Sequence, residues 1–334
     1  MSFTPPDPLL SVRTGQTATS SPTGPYGQMM SFDFSGDIGE GQSILAYGVA
    51  LSGWCLDYVT NSAYWAENLG LLGVNLVPNL CGTALYVTAN PYMSDNDGDA
   101  AGFPSDNSPP TLVQVTATAL IGSQPVQDTY VGNVYGIANG GSSPAFDIGT
   151  NPVYGAWMSG FMLSSDAPGD VGMIGLAANL SGPTNQQFTV NSVATTTDVP
   201  TSGSIDTFVL SYPYSPSGGG SQSANFQIVS VGINWGSVDE ESGLTGTFSA
   251  TFSPPTGMSI TNWGILQQQV TLDYTDDELM LAAAQYVGNF PTSAPSGNTV
   301  DGSFVLNIMN PDLGHHDWIK SSSNAQISII AQFG

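Results

Sequence analysis

Along much of the chain, apolar and polar residues alternate with a period of two. In Phe226-Gln227-Ile228-Val229-Ser230-Val231-Gly232-Ile233-Asn234-Trp235 the apolar residues from Ile228 onward fall mostly on alternate positions, as in a strand with one buried face. Similar runs occur at Met29–Phe34, Ile44–Leu51, twice within Tyr64–Val77, and at Thr83–Thr88, Leu112–Leu120, Tyr130–Ile137, Ala156–Leu163 and Val171–Leu180. The rhythm continues at Phe188–Val193, Ile205–Tyr212, Thr247–Phe252, Leu266–Tyr274, Phe304–Met309 and Ile327–Phe333. Gly, Pro, Asp and Asn clusters, such as 96–110 and 139–144, separate the runs. Many short strands with turn punctuation predict an all-β chain of the sandwich or jelly-roll type, and argue against a parallel α/β sheet.

One segment departs from this rhythm. Thr275 with Glu278 three residues on forms a capping box, and Asp276 and Asp277 place negative charge where a helix N-terminus is positive. Leu279 to Val287 supplies helix formers before Gly288 and Pro291. A short inserted helix is therefore expected near 275–287.

Three strings recur in the same order, each offset by close to half the chain. Ile327 to Gly334 echoes Ile174 to Gly182, Gly246 to Thr251 echoes Gly82 to Val87, and Gln269-Val270-Thr271 echoes Gln114-Val115-Thr116. Ordered echoes predict one β-domain made twice. The expected organisation is an extended Pro-rich arm at 1–27, partnered by a neighbouring subunit, a first barrel at 28–182 and a second at 183–334.

Composition changes the picture mainly through charge. Of 334 residues, 26 are acidic and only Arg13 and Lys320 are basic, for a net charge of −24. Direct binding of nucleic acid, which needs several cationic contacts to phosphates, is excluded as an expectation, as is most phosphate chemistry. No basic and apolar leader opens the chain. The apolar stretch Leu69 to Val87 reads as two strands around a Val77-Pro78-Asn79 turn and not as a membrane span. Cys55 and Cys81 could pair or stand as two buried thiols, and buried thiols are the expectation.

Candidate chemistry is sparse. Asp95, Asp97 and Asp99 alternate as oxygen ligands of a Ca2+ loop would, but Gly98 stands fourth and Ala100 stands sixth, where such a loop needs Gly. A solvated turn is the competing reading. Asp239-Glu240-Glu241 reads as a hairpin tip. His315-His316-Asp317 would place its imidazoles on opposite faces of a strand, which disfavours a shared metal. No Gly-x-Ser-x-Gly elbow occurs. Trp54, Trp65, Trp157, Trp235, Trp263 and Trp318 are expected mostly in the core. No catalytic residue and no firm cofactor is expected.

The echoed β segments, the paired closing strands and the helix at Thr275 to Val287 together resemble the double jelly-roll major coat proteins of membrane-containing icosahedral viruses, including lipid-containing bacteriophages such as flavobacterial ones. The resemblance runs from about residue 28 to 334 and lies in architecture. It implies two tandem jelly-roll barrels in a non-enzymatic virion protein. Homotrimers would form pseudo-hexagonal blocks tiling a capsid shell around an internal lipid membrane, beside minor capsid or penton proteins, and the arm would tie subunits together. Two other classes stay open: a carbohydrate- or receptor-binding spike protein, and a β-sandwich glycoside hydrolase.

Overall fold

The computed structural model describes residues 7–17, 27–57, 69–95, 112–165, 173–184, 186–196, 201–215, 224–239, 243–273, 283–289, 295, 297–309 and 322–334. Among them the chain forms β1 (Leu9–Gln16), β2 (Gln28–Asp33), β3 (Ser43–Asp57), β4 (Leu69–Cys81), β5 (Ala84–Asp95), β6 (Leu112–Gly122) and β7 (Tyr130–Ala138). There follow β8 (Phe146–Asp147), β9 (Val153–Ser165), β10 (Met173–Thr184), β11 (Gln187–Thr196), β12 (Thr201–Tyr212) and β13 (Phe226–Gly232). The last are β14 (Asn234–Asp239), β15 (Gly243–Thr251), β16 (Ile260–Asp273), β17 (Ala283–Asn289), β18 (Thr299–Met309) and β19 (Asn324–Phe333). Among the described residues the chain is all-β apart from one 3₁₀ turn at Ser35–Asp37.

Every pairing between these strands is antiparallel, and they build three sheets. Sheet A runs β1-β6-β3-β17-β18-β15-β14, sheet B runs β2-β5-β4-β9-β12-β7, and sheet C runs β13-β19-β16-β10-β11-β8. Each sheet packs against the other two, through β3 and β16, β3 and β9, and β11 and β12. Two hydrophobic clusters result, and both draw on all three sheets. One joins Leu51, Val74 and Ile327; the other joins Val12, Leu210 and Ile330.

Several sequence expectations need correction. Helix propensity near 275–287 does not decide the conformation: Ala283 to Asn289 is strand β17, hydrogen-bonded to β18 along its whole length and to β3 at its first four residues. Two flanking ladders outweigh the few tenths of a kcal/mol per residue by which these residues favour helix. The capping box itself lies outside the described residues. The apolar stretch from Leu69 does not turn at Val77-Pro78-Asn79. It runs straight through, and the reversal comes at Gly82, whose φ of +63° suits glycine. Pro78 is tolerated because β4 pairs with β9 only at Leu71 to Val74, so at Pro78 one edge is open. The alternating run Phe226 to Trp235 is two strands: at Ile233 the chain leaves sheet C and enters sheet A, turning a corner between packed sheets.

The expected arm is also corrected in part. Residues 9–16 form β1, paired with β6 of the same chain, and Leu10 and Val12 are fully buried. The outer edge of β1 is satisfied by side-chain amides that stand 215 and 320 residues further along the sequence. Leu10 N–H donates to Asn225 Oδ1 at 2.9 Å, Asn225 Nδ2 donates to Leu10 O at 2.8 Å, and Val12 N–H donates to Gln332 Oε1 at 2.9 Å. Arg13, midway along the strand, is held by an ion pair with Asp37 at 2.7 Å, with its guanidinium 5.2 Å from the Phe34 ring centre.

The echoed strings take unlike places. Gly82 lies in the β4–β5 hairpin, whereas Gly246 lies inside β15. The echoes in β10 and β19 flank the same strand, β16. Residues 182 and 183 fall within β10, and β12 pairs with both β7 and β9, so the hydrogen-bonded sheets run across the expected division.

Candidate functional site

A groove of about 380 Å³ opens between sheet C and the start of β9. Four consecutive strands of sheet C form one wall, contributing Gln227, Ile228 and Ser230 from β13, Ser328 from β19, Gln268 from β16 and Leu180 from β10. Pro152 to Trp157 and Ser215 form the other wall. Below lies the second hydrophobic cluster, in which Trp157 stacks on Phe208 with ring centres 5.8 Å apart. Gly155 makes that possible, since a Cβ there would come within 2.2 Å of the indole. Tyr154, half-buried, is braced by Phe188 at 5.3 Å.

The polar groups of the groove are amides and hydroxyls. Gln227 accepts the Ser253 N–H through Oε1 at 2.9 Å, which fixes the amide and leaves its NH₂ group as donor. Ser230 and Ser328 share a hydroxyl hydrogen bond of 3.1 Å. Gln268 is the extra residue of a β-bulge, because Gln267 pairs with Ile327 and Gln269 with Gln326; a bulge of this kind re-aims a side chain. Beside it Gln267 is fully buried, and neither amide atom has a protein partner. Among the described residues the lining holds no carboxylate, imidazole, thiol or cation.

A carboxyl whose pKa is raised by burial lies elsewhere, on sheet B. Asp206 sits on β12 between two irregularities: the ladder to β7 shifts opposite Tyr135 and Gly136, and the ladder to β9 shifts at Ser159. Gly136, with φ of +66°, donates its N–H to Asp206 Oδ1 at 2.7 Å. Gly160 leaves room for the carboxyl, since a Cβ there would lie 2.9 Å from Oδ2. Burial raises the Asp206 pKa, partly offset by the Gly136 hydrogen bond. Burial likewise raises that of Tyr135, with the nearby Asp206 charge adding to the shift, although the side chain is 54% exposed. One carboxyl beside one phenol can position a ligand hydroxyl.

Of the residues singled out by sequence, Asp95 ends β5, while Asp97 and Asp99 lie outside the described residues, as do His315, His316, Asp317, Trp65, Trp318 and Glu240–Glu241. Among the described residues no group of three or more His, Cys, Asp or Glu could hold a metal ion. Trp54 and Trp157 are buried, and Trp235 and Trp263 pack half-buried against the core. Cys55 is buried on β3, whereas Cys81 is exposed at the end of β4, correcting the expectation of two buried thiols, and no disulfide joins them. The groove residues escape sequence reasoning because they come from six separate stretches. The one signal is the run Gln267-Gln268-Gln269 between the apolar pair Ile265-Leu266 and Val270. No protein-family model matches the chain, and no curated protein matches it at a significant level.

Proposed function

We propose that this chain is a structural coat subunit: a virion protein on a double jelly-roll plan, forming pseudo-hexagonal homotrimers that tile an icosahedral shell around a membrane. The observation that carries the reading is the strand order of the C-terminal part. A jelly roll of eight strands pairs first with eighth, third and sixth in one sheet, and second with seventh, fourth and fifth in the other. Taking β13, β15, β16 and β17 as the first four strands and β18 and β19 as the last two, both pairings are followed: β13-β19-β16 and β15-β18-β17. The two remaining places are occupied by β10 beside β16 and by β3 beside β17. On this reading the second barrel takes two strands from the first part of the chain, and the two parts form one interlocked block. A shell tile needs that rigidity.

Charge supports the same reading. Of two basic residues, Arg13 is engaged with Asp37 inside the fold, which leaves Lys320 alone to meet a polyanion. A coat separated from its genome by a membrane has no need of a basic inner face. Electron microscopy of the expressed chain tests the proposal. Three-lobed particles with pseudo-hexagonal outline, or closed shells, are the expected result; a field of single globules at every concentration would contradict it.

A further inference from the structure

We infer that the groove between β9 and sheet C is a binding site for a neutral oligosaccharide. Sugar recognition combines a flat apolar surface, against which the C–H face of a pyranose stacks, with planar amides and hydroxyls that exchange hydrogen bonds with ring hydroxyls. The groove brings both together. Tyr154, braced by Phe188, and the 38%-exposed Leu180 supply apolar faces on opposite walls. Gln227, with its oxygen already bonded, presents donors; Gln268, the extra residue of its bulge, lines the groove; the Ser230–Ser328 pair offers hydroxyls. About 380 Å³ falls within the usual size of small-molecule sites, roughly 300–1,000 Å³, and suits a short sugar segment.

Charge narrows the ligand further. The lining carries no cation among the described residues, and the whole chain carries −24, so sialylated, sulfated or uronic glycans are repelled while neutral ones are not. This site stands apart from the coat reading: it is measured on the purified chain in whatever oligomeric state it adopts, and either conclusion can fail alone.

The test is calorimetric titration of the full chain with neutral oligosaccharides built on glucose, mannose, galactose and N-acetylglucosamine, alongside heparin fragments and an extended uncharged peptide. Saturable binding of at least one neutral series, with no heparin binding, is expected. Gln268→Ala, at a half-buried position, should weaken it about fivefold or more, and Tyr154→Ala about tenfold or more, with thermal melts confirming that each variant is folded. Should Tyr154→Ala fail to fold, the Gln268→Ala titration decides by itself. Absence of neutral-sugar binding, binding unchanged by Gln268→Ala, or saturable binding of the peptide alone would overturn the assignment.

Discussion

Asp206 is where a single residue most directly links geometry to a measurable property. Burial raises its folded pKa above the ordinary 3.8, so between 3.8 and the folded value the native state holds a proton that the unfolded state has released. Stability from this group is therefore full below about pH 3.8 and declines as pH rises through the folded pKa. Asn is close in shape, stays neutral, and its carbonyl can still accept the Gly136 N–H. Asp206→Asn should therefore melt at a higher temperature than the wild type at pH 7, and the two curves should converge near pH 3. Asp33 works in the opposite sense, since Ser35 donates from both backbone and side chain and lowers its pKa, but it is common to both proteins and cancels in the comparison. Parallel melting profiles across the range would contradict the burial assigned to Asp206.

Strands rather than residues decide how the chain is tied together. β1 buries Leu10 and Val12 completely, worth roughly 1.5–3 kcal/mol each by transfer, against a total stability of about 5–15 kcal/mol for a typical domain. Removing residues 1–16 should thus destabilise the subunit itself, visible as an early thermal transition or insoluble protein, in place of folded subunits that fail to assemble. A truncated chain melting like the intact one would refute the placement of β1. The β3–β17 pairing places Gln285 opposite Cys55. Gln285→Cys should form a disulfide with Cys55 under mild oxidation, detected by mass after proteolysis; a helix over 283–287 would leave the two thiols unjoined. This is also where the sequence was least legible. Period-two alternation located most strands, because a half-buried strand writes its face into every second residue. The helix expectation failed because propensity is local, whereas β17 is held by partners more than 200 residues earlier and about 20 residues later. The sheet change at Ile233 left no mark, since alternation continues through the corner.

At the scale of the molecule, the sequence echoes pointed to two like halves, and the strand order instead interlocks the two parts. β-rich chains reuse similar apolar and Thr-rich strings wherever a buried strand is needed, and such strings need not be equivalent. The groove was unreadable for a related reason: a site whose walls come from residues 152 to 328 exists only after long-range pairing. Charge, by contrast, was legible at once, because it needs no folding to be counted. The proposed coat subunit is an oligomer by construction, so its native mass is the most direct measurement. Light scattering on the purified chain should give a stable species of three times 34.6 kDa, or a much larger shell. A species of 34.6 kDa that persists as protein concentration is raised would contradict the account.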